Sequence, residues 1–217
     1  MYPINLKLAG RPCAVIGGGQ VAWRKITRLV EYGADVTVIS PISDRQIEEL
    51  VATRKVTWKE KTYSHGMLQG FFCVFCATDD PSVNHAAAQE GKAVGALVNV
   101  ASEPEMCDFT LPGLVRQGPL QFTVSSDGAS PGFSRLLRRD MEKRYHADFG
   151  EFAFFLQEIR QKLMKDWADG RQRAALWQRI LTDDIVKLIL DKDLDRAKDE
   201  IRNGINRFRT EPSDGTR

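Results

Sequence analysis

At 217 residues, 42% hydrophobic and 28% charged, the chain is long enough to bury one full α/β core plus a smaller element. Its 31 Lys and Arg against 29 Asp and Glu leave a net charge of +2, which neither requires nor excludes an anionic partner. No long apolar segment or signal-peptide pattern is present, because Met1-Tyr2-Pro3-Ile4-Asn5-Leu6 leads directly into the first strand. A cytoplasmic protein with no membrane partner is expected.

Strands are expected near 12–16, 35–39, 55–59, 72–77 and 94–98, with helices near 20–32, 43–52 and 81–90. Such alternation is the signature of an α/β fold with a parallel, doubly wound sheet. Between the first strand and first helix lies Gly17-Gly18-Gly19-Gln20-Val21-Ala22, of the form G-x-G-x-x-A. Gly17 permits the tight turn, Gly19 lets the backbone approach a pyrophosphate, and Ala22 lets the helix pack closely on the sheet. The helix N-terminus offers unpaired N–H groups and a positive dipole end to an anion. Dinucleotide binding is favoured over a purely structural turn because a strand precedes, an amphipathic helix follows, and a second strand arrives after Gly33.

The usual acid at the end of the second strand is missing. Ser40-Pro41-Ile42 stands there, with Asp44 and Arg45 beyond, so this position does not by itself separate NAD from NADP. Arg45 reads as a solvated helix residue. Phe71 to Ala77 is apolar on both faces, as a central parallel strand should be. Cys73 and Cys76 are spaced C-x-x-C, but three residues along a strand put them on opposite faces, so buried free thiols are expected and no metal site.

Thr78-Asp79-Asp80-Pro81 then stops the strand at the edge where such sheets bind ligands. Helix capping and cofactor contact are compatible there for Thr78 and Asp79. Asn99, expected just after the fifth strand, either reaches the nicotinamide side or shapes the turn.

After residue 108 the pattern changes. Phe109 to Val115 and Leu120 to Val124 bracket Gln117-Gly118-Pro119 and read as an antiparallel hairpin. The loop Ser125-Ser126-Asp127-Gly128-Ala129-Ser130-Pro131 ends in an N-cap and N1 pair. The helix beyond it carries Arg135, Arg138, Arg139, Lys143 and Arg144, either a solvated face or, with the serine loop, a polyanion site.

Residues 146–217 continue as charged helical segments. There Phe149, Phe152, Phe155 and Leu156 form a stripe suited to a core or a dimer face. Acids interleaved through Asp191 to Glu200 argue against a nucleic-acid partner. The tail from Thr210 to Gly215 is expected to fray.

Four segments in order, Gly17 to Lys25, Ala77 to Asp80, Val98-Asn99-Val100 and Ser125 to Pro131, resemble the precorrin-2 dehydrogenase family, which includes the dehydrogenase/ferrochelatase part of sirohaem synthase. The likeness runs from about residue 2 to 145 and more loosely beyond. It implies an N-terminal NAD-binding Rossmann-like domain over 1–112, a small α+β dimerisation and substrate segment over 113–145, and a C-terminal helical domain over 146–217. These are expected to assemble as an intertwined homodimer. The implied activity is oxidation of precorrin-2 to sirohydrochlorin with NAD as hydride acceptor, and some members also insert ferrous or cobaltous ion. Because the chain ends soon after the helices, no methyltransferase domain is expected.

By similarity, cofactor contacts fall on Gly17 to Ala22, especially Gln20 and Val21, and on Pro41-Ile42. The polycarboxylate substrate gives Ser126, Ser130, Arg135 and Arg138 an anionic partner. The chain departs from the family at catalysis. Members place an aspartate, implicated as general acid/base, where this chain has Ser102. A serine does not titrate near neutral pH but can position a water or a pyrrole N–H. Glu103 and Asp108 are the carboxylates able to substitute, although Glu103 before a proline reads rather as a solvated loop residue. The alternative function is a catalytically degenerate tetrapyrrole- or dinucleotide-binding carrier or regulator.

Overall fold

The computed structural model describes residues 1–210, and the part of the expected frayed tail beyond Thr210 lies outside the described residues. The chain forms two compact units, Met1–Leu111 and Pro112 onward.

In the first unit, β1 (Pro12–Ile16), β2 (Asp35–Ile39), β3 (Thr57–Lys59), β4 (Cys73–Cys76) and β5 (Leu97–Val100) form one sheet in the order β3-β2-β1-β4-β5. Every pairing is parallel. The chain starts at the centre, moves outward through β2 to β3, and returns to the other side of β1. The carboxyl ends of β1 and β4 therefore flank the switch point, the crevice where open α/β sheets take their ligands.

Helix α1 (Gln20–Glu31) buries Ala22, Ile26 and Leu29, spaced four and three apart, against Cys13, Val15, Cys73 and Phe75. Each such aliphatic side chain contributes about 1.5–3 kcal/mol. Helix α2 (Arg45–Ala52) anchors on the same face through Ile47. The opposite face, Ala14, Ile16, Val74, Cys76 and Val98, is covered by α3 (Pro81–Ala93) through Ala87 and Ala88. Cys73 and Cys76 thus enter different core layers, and all four cysteines are free thiols.

Several expected boundaries move. Helix α3 runs on to Ala93, and Gly95 turns the chain at φ +80°. The fifth strand therefore occupies 97–100 rather than 94–98, and Asn99 lies inside it rather than after it. β3 is shorter than expected, and α2 starts at Arg45 instead of residue 43.

The crossover between β3 and β4 carries no helix. Glu90, 4% exposed on α3, fastens it instead, accepting from Tyr63 Oη at 2.6 Å, Gly66 N at 2.9 Å and Leu68 N at 2.7 Å. Phe109, expected to open the hairpin, instead packs edge-on against Phe75 at 5.6 Å.

The second unit begins with the hairpin β6 (Gly113–Gln117) and β7 (Leu120–Val124), where Gln117 pairs Leu120 around Gly118-Pro119. It continues through α4 (Pro131–Arg144), α5 (Ala147–Asp166), α6 (Gly170–Ile180), α7 (Asp183–Leu190) and α8 (Leu194–Thr210). Phe149 and Phe152 join Leu163, Leu176, Ile180 and Ile201 in its core, with Leu120, Tyr145, Phe155 and Leu156 packed against them. Tyr145 stacks on Phe122 at 4.4 Å and meets Phe149 edge-on, so hairpin and helices share one hydrophobic core. Helix α4 buries no residue and leaves Phe133 and Leu136 more than half exposed.

Candidate functional site

The glycine loop is held by contacts that leave no room for side chains at two of its three positions. Gly17 has φ +117°, and a Cβ there would collide with the Ala77 carbonyl at the end of β4. Gly18 is closed off by Ile42 O and by Ser43 Cα, 2.9 Å from where its Cβ would be. Gly17 N donates to Ile39 O at 3.0 Å and Asp44 N to Gly18 O at 2.8 Å, tying the loop to the end of β2.

A Cβ on Gly19 would meet nothing within 4 Å. Gly19 is also the N-cap of α1, with no capping side chain and no acid in the first turn. An open space over a glycine, bordered by the first N–H groups of an uncapped helix, fits a pyrophosphate. These features fit the residues to a dinucleotide cofactor.

Around the loop, Ala22 is fully buried against the sheet, while Val21 and Ile42 are 48% and 78% exposed. Gln20 Nε2 donates to Asp44 Oδ2 at 2.8 Å and Gln46 Oε1 at 3.2 Å, bridging the starts of α1 and α2. Ser40, in the place of the usual acid, turns inward: its hydroxyl donates to Ile42 O at 2.6 Å. Pro41 and Ile42 form an exposed lip above it. Arg45 is almost fully exposed and pairs with Glu49 at 3.4 Å, as a solvated helix residue does.

At the end of β4, Asp80 caps α3 by accepting from Ser82 N at 2.8 Å and Val83 N at 3.4 Å. Thr78 is held by Asn84, a residue the sequence reading passed over. Asn84 is 2% exposed; its Oδ1 accepts from Thr78 N and Oγ1, and its Nδ2 donates to Thr78 O. Asp79 is exposed beside them.

Asn99 is buried inside β5, where its Oδ1 accepts from Lys25 Nζ at 2.7 Å and its Nδ2 donates to Phe109 O at 3.0 Å. These contacts tie β5 to α1 and to the chain at Phe109. Lys25, from α1, lies over the Phe75 ring at 5.5 Å, and burial lowers its ammonium below the ordinary value.

The carboxylates after β5 separate. Asp108 runs back along the edge strand, its N donating to Val98 O and its Oδ2 accepting from Val98 N, each at 2.9 Å. It covers an otherwise bare sheet edge and pairs Lys92 at 3.8 Å. Ser102 is exposed.

Glu103 is not the solvated loop residue the sequence also allowed. Its Oε1 is buried with no hydrogen-bond partner, and its Oε2 lies 3.9 Å from His85 Nδ1. Burial first, then the charges of Cys107 and Glu103, push the Cys76 thiol up to about 12, so that thiol stays neutral near pH 7. Among the described residues, no three His, Cys, Asp or Glu side chains are grouped as a metal site.

The remaining expected residues belong to the second unit. Ser126 Oγ accepts from Ser130 N at 3.0 Å, and Ser130 Oγ accepts from Phe133 N at 3.3 Å, so both hydroxyls shape the start of α4. Arg138 reaches Glu142 at 3.0 Å and Arg135 is exposed.

Two family models match the chain. Residues 4–113 match one described as "Putative NAD(P)-binding", and residues 117–144 match one described as "Sirohaem biosynthesis protein central". A siroheme synthase of Methylobacillus flagellatus is 35% identical over 196 residues, 90% of this chain and 42% of that protein. One of Nitrosococcus oceani is 36% identical over 187 residues, 86% of this chain and 40% of that protein. The chain thus spans about two fifths of the length of these curated relatives. A solved structure described as SirC, precorrin-2 dehydrogenase, superposes with a TM-score of 0.77 at 27% identity, covering 92% of this chain and all of that one.

Proposed function

The chain belongs to the family of precorrin-2 dehydrogenases and sirohaem synthase N-terminal regions, and on that premise we propose that it oxidises precorrin-2 to sirohydrochlorin with NAD. The observation that carries this reading is the glycine loop at the switch point, with open space over Gly19 and an uncapped α1 N-terminus. When bound, the nicotinamide supplies the hydride acceptor.

The chain's own residues do the rest. The N–H groups of Gln20, Val21 and Ala22 bind the pyrophosphate, Gly17 and Gly18 keep the loop tight, and Val21, Pro41 and Ile42 offer apolar cover to the adenosine. Ser40 to Asp44 contains a carboxylate and no Lys or Arg, which supports NAD over a cofactor bearing a 2′-phosphate. Thr78 and Asp79 line the β4 side of the crevice, with Asn84 fixing Thr78.

Glu103 takes the proton that accompanies hydride loss, and exposed Ser102 orients a water or a pyrrole N–H beside it. In the second unit, Arg135 and Arg138 and the backbone of the Ser126 to Ser130 loop meet substrate carboxylates. The exposed apolar face of α4 supports a homodimer. Four free cysteines fit a reducing, cytoplasmic compartment, and among the described residues no helix is long and apolar enough to cross a membrane.

A second reading, a binding protein without turnover, is favoured by the exposed hydroxyl of Ser102, where the family resemblance implies an aspartate. Anaerobic incubation with enzymatically generated precorrin-2 and NAD separates the two. NADH and sirohydrochlorin appearing together establish the dehydrogenase, whereas binding without NADH establishes the carrier. Adding ferrous or cobaltous ion to the product then tests insertion of the metal as a substrate, read as conversion above the spontaneous rate.

A further inference from the structure

Glu103 presents an unusual pair of environments. Oε1 is sealed from solvent with no donor, a state that costs free energy for a carboxylate until something supplies a hydrogen or a proton. Oε2 faces His85 Nδ1 at 3.9 Å, and the far nitrogen of that ring, Nε2, lies 2.9 Å from Gln89 Nε2. An amide nitrogen only donates, so His85 Nε2 accepts and the neutral ring carries its hydrogen on Nδ1, toward Glu103. His85 and Gln89 are one turn apart on α3, so a single helix face presents the pair to Glu103 in the loop after β5.

We propose that His85, with its tautomer set by Gln89, is a positioning residue for Glu103: its Nδ1–H closes onto Oε2 in the loaded enzyme and holds that oxygen, the one that is not sealed, as the base. The inference rests on the dehydrogenase reading given above. In that reaction the reduced macrocycle loses a hydride to the nicotinamide and a proton to Glu103 Oε2, which solvent later removes. A separation of 3.9 Å is in keeping with a catalytic hydrogen bond that tightens on substrate binding. Ser102 itself carries no group that titrates near neutral pH. Here the carboxylate stands one position later and is oriented from α3.

The test compares parent, His85→Ala, His85→Asn and Glu103→Gln proteins for NADH formation from precorrin-2, NADH binding by fluorescence, and imidazole-ring ¹H–¹⁵N spectra. His85→Ala should lower kcat at least about tenfold with the KM for NAD and the NADH affinity unchanged. His85→Asn, whose amide nitrogen can stand where Nδ1 was, should recover part of that loss. The His85 ring signals should move in Glu103→Gln, a readout that needs no turnover. A parent that makes no NADH overturns the dehydrogenase reading and this inference with it. An active parent whose kcat is unaffected by His85→Ala, or whose His85 signals ignore Glu103→Gln, overturns this inference alone.

Discussion

The Glu90 carboxylate, buried on α3, accepts the Leu68 N–H at 2.7 Å across the loop that replaces a crossover helix between β3 and β4. Burial, the largest influence, raises its pKa, but Tyr63, Leu68 and Gly66 donate to it and together hold it below the ordinary value of 4.5. A depressed folded-state pKa means stability that is present above the unfolded value and lost as pH falls through the folded one. Glu90→Gln should destabilise the protein by about 2–4 kcal/mol at pH 7, because a paired buried acceptor is replaced by an amide that cannot take three donors. Urea melts of parent and variant should converge as pH drops below 4.5, and parallel curves would show that Glu90 is not the group responsible.

Gly17 and Gly19 should fail differently. Gly17→Ala places a Cβ against the Ala77 carbonyl at φ +117°, so a loss of about 3 kcal/mol or more is expected in thermal melts. Gly19→Leu meets no neighbour and should melt within a few degrees of the parent while losing NADH binding by at least about tenfold. Unchanged NADH fluorescence titrations for Gly19→Leu would remove the pyrophosphate from this loop.

The proposed preference for NAD rests on the lip after β2. NADH should bind at least about tenfold more tightly than NADPH, because Ser40 to Asp44 carries a carboxylate and no Lys or Arg for a 2′-phosphate. Ile42→Arg, placing a guanidinium on the 78% exposed position, should narrow that gap. Equal affinities for the two cofactors in the parent would contradict the proposed preference.

Asn84 fixes the β4–α3 corner through three hydrogen bonds to Thr78. Asn84→Leu should lower stability by about 2–3 kcal/mol, since it leaves Thr78 N and O without partners. It should also raise the KM for NAD more than it lowers kcat. Steady-state kinetics on the folded variant check this split.

Association should depend on α4. Phe133 and Leu136 are 56% and 53% exposed, and Leu137 38%, on a helix that buries none of its residues. Phe133→Glu with Leu136→Glu should convert a homodimer to monomer in analytical ultracentrifugation. A monomeric parent would leave this apolar face without the partner proposed for it.

Much of the fold was legible because it rests on local signals. The alternation of apolar runs with 3.6-period stripes announced the parallel sheet, and Gly17 to Ala22 announced the tight turn from β1 into α1. The errors lie where a local signal was ambiguous. Val94 to Val98 is apolar and β-compatible, but α3 continued to Ala93 and moved the fifth strand three residues on, carrying Asn99 into it. Phe109 to Pro112 looked like a strand, and its phenylalanine became a cap on Phe75.

The sequence by itself determined the class of sheet, the place of its glycine turn and the cysteines' partition between two faces, because each depends on spacing along a few residues of chain. Only the tertiary structure decided which polar groups meet. Lys25 reaches Asn99 across 74 residues, Glu90 gathers the 63–68 loop, and Glu103 rather than Asp108 turns a carboxylate inward toward His85. No spacing rule links such pairs. They become neighbours only once the order β3-β2-β1-β4-β5 brings the ends of separate strands and helices together, and burial there forces each polar atom to find a partner or stand unpaired.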